Sequence, residues 1–505
     1  MRVLTQSKVL KVNQDRKTSY QQIFKATSLF GGVQMVNILI SIFKSKAIAI
    51  FLGPNGMGIV GLFTSAISLF GGITSMGLAT VAVKNVAEAN GSNDEDRISK
   101  VVSVFRKLVW VSGLLGMFSV IIFSPYLSFS TFGNYDYIIS FILLSITLLI
   151  QQISAGQSVV LQGMRRIKDL AKSVVFGSFG GLLISVPIYS IMGVRGIVYS
   201  LVLASITNLI ITWYFSNRIK IKKTSISLKE SLLEGKSMLK MGMVMSLNSI
   251  LVAGEVYLLR IIIVRIGGIE DVGFYTSGLA IVTGYTGLVF TAMGTDYYPR
   301  LAAVNKDNEK CNQIIIHQAE IATLILTPIL ILFLLFAPFA VILLYSKSFL
   351  PITGYMQWAI VGMLFKALSW AISYQFLAKH DMKMVAINET FAHVSTLIFS
   401  TIGYYFWGLD GLGIAFSLSY FLYCLLVFFI AHNRYELSFP REFKKLYFIE
   451  LTFVITCFVL VYFWENKWVY LPTVILALLC FFYSYKEIDK RLEIRSIIKK
   501  IYSRI

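Results

Sequence analysis

Long apolar runs divided by short polar breaks constrain this chain more than any other feature. A run of about 20 residues crosses ~30 Å of hydrocarbon as a helix, and only helices or closed barrels satisfy their own backbone polar groups in lipid. Such runs lie at 25–52, 57–87, 101–123, 137–162, 170–191, 194–216, 238–266, 272–298, 313–344, 353–378, 384–407, 410–431, 446–464 and 468–485. They predict an all-α polytopic membrane protein with about 14 transmembrane helices. Of 505 residues 56% are hydrophobic and 14% charged, which leaves too little polar surface for a soluble domain of this length.

The net charge of +20, from 46 Lys and Arg against 26 Asp and Glu, admits nucleic acid, anionic lipid or topology as its cause. Topology accounts for most of it, because the positive residues fall in alternate loops. One set comprises the N-terminal tail (Lys8, Lys11, Arg16, Lys17), 97–107, 165–172, 218–240, 300–310, 379–383, 434–445 and the tail from Lys486. The other, around Pro54, 124–136, Arg195, Gly267, Lys347, Leu409 and Lys467, carries few. Both termini are therefore expected in the cytoplasm, and no nucleic-acid partner is expected. The basic N-terminus has no short apolar segment ending in a cleavage site, so the first span is expected to serve as the targeting signal.

Cys311, Cys424, Cys457 and Cys480 stand at no metal-binding spacing, and no disulfide is expected. There is no Gly-rich phosphate loop with its Lys and no cluster of Cys, His and carboxylates at metal spacing. The expectation is no cofactor, no metal and no enzyme. The outward loops are also too short for the catalytic loops of a membrane glycosyl transferase or polymerase.

The chain repeats itself. Lys46 to Gly61 (KAIAIFLGPNGMGIVG) resembles Arg260 to Thr276 (RIIIVRIGGIEDVGFYT), with Lys46 on Arg260 and Gly53 on Gly267. Met192 to Leu201 (MGVRGIVYSL) resembles Gly408 to Leu418 (GLDGLGIAFSL), and the units end alike at Asn217-Arg218 and Asn433-Arg434. An offset of about 215 residues predicts two six-span units in the same orientation, and such parallel repeats carry the substrate route between them. The expected organisation is a basic cytoplasmic tail 1–23, a first lobe 24–217, a cytoplasmic linker 218–236 and a second lobe 237–434. Two additional spans follow within 446–485, expected to be peripheral and lipid-facing, and then a basic cytoplasmic tail 486–505.

An ionisable residue near the bilayer centre costs roughly 2.5–3.5 kcal/mol on insertion scales, so each needs a pair, a cavity or an interface. Lys366 lies close to the middle of its span. Lys46 and Arg260 precede their loop glycines by seven residues, which places them ~10 Å inside the outer end. Lys44 is deeper, and Lys84 sits at the cytoplasmic edge of the second span. Snorkelling suits Lys46 better than Lys366. Gln34, Asn37, Ser41 and Lys44 share one helical face. The repeat places Asn248 on Gln34 and Glu255 on Ser41, so the seventh span carries the same wet face.

Glu389 and His393 are one turn apart, and with Glu255 they are candidates for ion coupling. Asp296 and Arg300 read as a helix-end ion pair, and His317 with Glu320 as either a proton relay or a polar helix start. The deep charges are mostly positive, Lys44, Lys46, Arg260 and Lys366 against Glu255 and Glu389, with a Glu255–Arg260 pair as one alternative. A cavity with that bias suits an anion such as a phosphate or diphosphate headgroup, whose desolvation fixed cations offset.

The Lys46 to Gly61 loop, the KNVAEA end of the second span at Lys84, and Ser346 to His380 with Lys366 resemble the O-antigen translocases. These are the Wzx-type flippases of lipid-linked oligosaccharides, in the multidrug/oligosaccharidyl-lipid/polysaccharide exporter superfamily, and the likeness covers about residues 20–434. The resemblance implies a two-lobed, V-shaped bundle that moves an undecaprenyl-diphosphate-linked oligosaccharide from the cytoplasmic to the outer leaflet of the bacterial inner membrane. It would do so by alternating access through a cationic central cavity, with Lys46, Lys84, Arg260 and Lys366 at expected basic positions. The implied partners are the lipid-linked oligosaccharide, membrane lipids and polysaccharide polymerase machinery. Two departures stand out: the extra pair of spans beyond the usual twelve, and Glu255 beside the cationic site. A cation-coupled drug antiporter of the same superfamily and a non-transporting envelope-assembly scaffold are the competing readings.

Overall fold

The computed structural model describes residues 32–492 apart from 93, 223, 225, 465–467 and 469. The basic tail 1–23, the start of the first apolar run, Lys467 and residues 493–505 lie outside the described residues. Every described regular element is helical. In chain order these are α1 (Gly32–Phe51), α2 (Gly53–Ser75), α3 (Leu78–Gly91), α4 (Glu95–Phe132), α5 (Ile138–Gly163), α6 (Ile167–Met192), α7 (Ile197–Ser216) and α8 (Leu228–Glu234). They continue as α9 (Lys236–Gly267), α10 (Ile269–Ala303), α11 (Asn308–Leu344), α12 (Ile352–Ala378), α13 (Met382–Tyr435), α14 (Arg441–Phe463) and α15 (Tyr470–Leu492).

Among the described residues, 11 helical stretches are long and apolar enough to cross a membrane. Two of them, Ile167–Ser216 and Met382–Tyr435, run to 50 and 54 residues, ~75–80 Å at 1.5 Å per residue and far more than one bilayer needs. Each contains a turn at a glycine: Gly193 has φ 56° and ψ −137°, and Gly408 has φ 58° and ψ −138°. Side chains other than glycine are strained at such angles. The first stretch is thereby divided into α6 and α7, which pack along one another. In the second, the Gly403 and Gly411 backbones approach so closely that a Cβ on either would strike the other's carbonyl oxygen.

Gly193 and Gly408 are 215 residues apart, close to the spacing of the sequence match. The left-handed Gly53 and Gly268 are separated by the same 215, so the turn glycine answering Gly53 is Gly268, one residue later than the Gly267 of the sequence match. A Cβ on Gly58 would strike the Ile269 carbonyl oxygen, and one on Gly273 would strike that of Pro54. Ile269 lies 215 residues after Pro54, and Gly273 the same distance after Gly58.

The chain divides into two compact units, one of residues up to Leu52 with Phe63–Ala253, the other of Gly53–Leu62 with Gly254 onward. In the first, α5 packs against α3, α4 and α7, and Leu78, Phe105, Leu108 and Val159 belong to a buried core. In the second, α12 is the central helix and packs on α10, α11, α13 and α14. Lys366 is therefore mounted on the most enclosed helix of that unit, with Ala367, Ala371 and Ile372 buried beside it.

Several helices that leave the basic loops start with a capping side chain. Asp94 accepts from the Asp96 and Arg97 N–H groups at 3.0 Å, and Asp381 from Met384 N–H at 3.3 Å. Asp307 accepts from Lys310 N–H at 3.1 Å, and this bond together with the Lys310 ammonium holds its carboxyl below the usual carboxylate range. All four cysteines are free and buried.

The last two helices are more than a lipid-facing rim. Both pack on α11, and α14 also touches α12. Glu450 on α14 is wholly buried, accepting from the Ser484 hydroxyl of α15 at 2.8 Å and from the Cys480 thiol at 3.6 Å.

Candidate functional site

The second unit gathers most of the deep ionisable residues. Glu255 and Arg260 come from α9, Lys366 from α12, and Glu389 and His393 from α13. His393 Nδ1 lies 2.5 Å from Glu255 Oε2, and its Nε2 lies 3.6 Å from Glu389 Oε2. The imidazole thus stands between two carboxylates on different helices, and its side chain and that of Glu255 are only 18% and 14% exposed. A protonated imidazole there would neutralise one of the two negative charges.

The Glu255–Arg260 pair weighed from the sequence is not formed. Arg260 is 9% exposed, and its Nη1 donates to the Gly61 carbonyl oxygen at 2.6 Å, while its Nε has no partner. No carboxylate lies within ion-pair distance of it among the described residues. The physical reason is that Glu255 is already committed to His393, which reaches it from another helix. Tyr275 of α10 stands within electrostatic reach of Glu255, Arg260 and Tyr420, and its ring meets Tyr355 edge-on at 5.7 Å.

Lys366 makes no ion pair among the described residues. Its ammonium lies over the rings of Tyr420, at 4.9 Å from the centroid, and Phe416, at 5.8 Å. Aromatic faces attract a cation without neutralising it, so the charge remains available to an anion. Arg260 and Lys366 are therefore two cations without a carboxylate partner among the described residues.

In the first unit the polar face of α1 is more open. Gln34 and Ser41 are exposed, as is Asn248 at the start of α9, and Lys44 and Lys46 are half-buried. Asn37 has a buried Oδ1 without a partner. Lys84 is exposed and lies 3.8 Å from Glu88 one turn later, so it belongs to a solvated helix-end pair worth little. Asp296 and Arg300 form the expected pair at 2.8 Å. Glu320 is bonded to Arg491 of α15 at 2.8 Å. No group of three His, Cys, Asp or Glu suited to a metal ion occurs among the described residues.

Two features escaped the sequence reading. The Glu255–His393 bond joins residues 138 apart, and only the apolar setting of Glu255 could have flagged it. Glu450 is a lone acid inside the run 446–464, a signal that the sequence carries without naming its partners.

Comparison with known proteins agrees with this architecture. A putative O-antigen transporter from Shigella flexneri is 26% identical over 415 residues, covering 79% of this chain and 95% of that protein. Among solved structures, the lipid II flippase MurJ in an inward closed conformation superposes with a TM-score of 0.67 at 13% identity, covering 93% of this chain and 99% of MurJ. An inward-facing multidrug resistance MATE family transporter of the MOP superfamily gives 0.64 at 19% identity, covering 82% and 96%. The fold is that of the MOP transporters. The family described as polysaccharide biosynthesis protein matches residues 47–354, well over half of the chain, and the protein belongs to that family.

Proposed function

We propose that this protein is a flippase that carries an undecaprenyl-diphosphate-linked oligosaccharide, the repeat unit of an O-antigen or a similar surface polysaccharide, across the bacterial inner membrane. The observation that carries the reading is the pair of cations without carboxylate partners, Arg260 buried on α9 and Lys366 stacked on Tyr420. A diphosphate supplies the missing counter-charge, and charge-assisted bonds to phosphate are strong in a low-dielectric site. The similarity to an O-antigen transporter and to a lipid II flippase supports a lipid-linked glycan as cargo.

In this proposal fourteen helices cross the membrane, α6–α7 and the two halves of α13 being counted as hairpins and α9 as a span. Both termini are cytoplasmic, and two six-helix repeats alternate between inward and outward access. Lys44, Lys46 and Lys84 are further cationic contacts for the cargo, and Gln34, Asn37, Ser41 and Asn248 wet its sugars. The Glu255–His393–Glu389 cluster favours a coupled ion, since protonation of His393 changes the net charge beside the anion site. The membrane potential adds ~2.3 kcal/mol per charge per 100 mV for an anion leaving a negative-inside cell.

Lys366→Ala and Arg260→Ala, each checked for membrane insertion, are expected to lower glycan export ~10–100-fold, the loss of one charge-assisted bond. Lipid-linked glycan should accumulate on the cytoplasmic side. Lys46→Ala, half-buried and nearer the interface, is expected to do less. Intact export with Lys366→Ala would sink the site assignment, and transport unchanged in vesicles with collapsed potential and ion gradients would remove the coupling.

A further inference from the structure

A polar cavity of about 660 Å³ lies within the second unit, between the start of α14, the end of α15 and α11. Its size is that of an ordinary small-ligand site. Arg491 crosses it, with Nε 2.8 Å from Glu320 Oε2 and Nη1 2.6 Å from Glu487 Oε2, and Lys490 adds a 2.7 Å bond to Glu487 Oε1. Those bonds occupy Glu320 and Glu487. Two lining residues of α14, Glu442 and Lys445, are exposed and have no ion-pair partner among the described residues. They sit three positions apart, so they share a helix face. The exposed His317 of α11 adds a third polar group to the same cavity.

The cavity is polar at the helix ends and apolar just beyond them. Leu446 and Ile449 continue its wall along α14, and below them Phe448, Ile455, Leu479 and Phe482 are exposed on α14 and α15. The arrangement matches the interface of a bilayer, where pockets between membrane helices hold lipid headgroups, but here acids and bases are balanced, Glu320, Glu442 and Glu487 against Lys445, Lys490 and Arg491. One free carboxylate beside one free ammonium calls for a ligand with both charges, not a simple anion. We propose that this cavity binds a zwitterionic phospholipid with an ethanolamine headgroup. Lys445 and His317 contact the phosphodiester, Glu442 takes the ammonium, and the acyl chains lie on the exposed apolar faces of α14 and α15. The inference does not depend on the flippase reading.

The test uses the full-length protein, delipidated and offered phosphatidylethanolamine or phosphatidylglycerol with identical acyl chains, with retained lipid counted by native mass spectrometry. The wild type is expected to keep one phosphatidylethanolamine about fivefold more readily than phosphatidylglycerol, the effect of roughly one charge contact. Glu442→Gln should abolish the preference, and Lys445→Gln should lower retention of both lipids. Glu442→Asp with Lys445→Arg, which conserves both charges, should keep the preference and controls for folding. Equal retention of the two lipids by the wild type, or a preference for phosphatidylglycerol, overturns the proposal. So does a preference that survives Glu442→Gln with Lys445→Gln or is lost in the charge-conserving variant. Displacement of the lipid by inorganic phosphate would mark a phosphate site instead.

Discussion

The polar faces of α1 and α9, which the sequence match sets side by side, have different chemistry. On α1, Gln34, Asn37, Ser41 and Lys44 form a stripe with no carboxylate. On α9 the position of Ser41 is held by Glu255, and Glu255 is closed by His393 from α13. Lys46 matches Arg260, yet Lys46 is half-buried while Arg260 is buried against the Gly61 carbonyl. Likeness in sequence can set where polar residues stand along a helix. It does not set whom they meet, because partners arrive from helices that have diverged.

The largest expected effect removes the feature that separates the two faces. Glu255→Gln leaves His393 without its close acid partner, and breaking a buried pair in this way costs ~3–5 kcal/mol. A lowered melting temperature of the purified protein should report it, and adding His393→Asn should recover much of the loss in a double-mutant cycle. A cost below ~1 kcal/mol, the level of an exposed pair, would mean that the acid does not distinguish the two faces energetically.

The next prediction asks whether the likeness between the units is energetic as well as geometric. Gly193→Ala and Gly408→Ala should each destabilise by ~1–2 kcal/mol, the penalty of forcing a side chain into left-handed backbone. Similar costs would place the two turns on an equal footing, and sensitivity at only one would break the equivalence. The smallest effect is expected at Lys84. Its pair with Glu88 is more than half exposed, so Lys84→Ala should change stability by no more than ~0.5 kcal/mol. A larger loss would place Lys84 among the buried cations.

Much of the fold was legible because lipid is an unforgiving solvent. Each crossing needs an apolar run of fixed length, and the runs around α5, α11 and α12 stand out even to a coarse count. The offset of 215 was legible from the two glycine loops, and Gly193 and Gly408 carry it into the backbone. The site was legible only in its parts. Glu389 and His393 could be paired because one helix turn joins them. The third member, Glu255, could not be attached, since interhelical rotation decides which side chains face each other. Arg260 was recognised as deep, but its acceptor is a backbone carbonyl on α2, and any residue type would have supplied one. Glu450 shows the complementary failure: its polar partners Ser484 and Cys480 are small residues common in any membrane helix.

The glycine turns also say which joints can yield. Where a helix reverses over a few residues, as in the tight turn Gly193–Gly196 and at Gly408, the two arms have little slack with which to slide past one another. Each hairpin then behaves as one stiff lever. Any rearrangement has to be taken up where the chain already departs from helical geometry between separate elements, and the left-handed pair Met76 and Gly77 between α2 and α3 is such a place. The residues 215 positions later fall inside the uninterrupted α10. The two units would thus flex unevenly, the first at a built-in joint and the second as a beam.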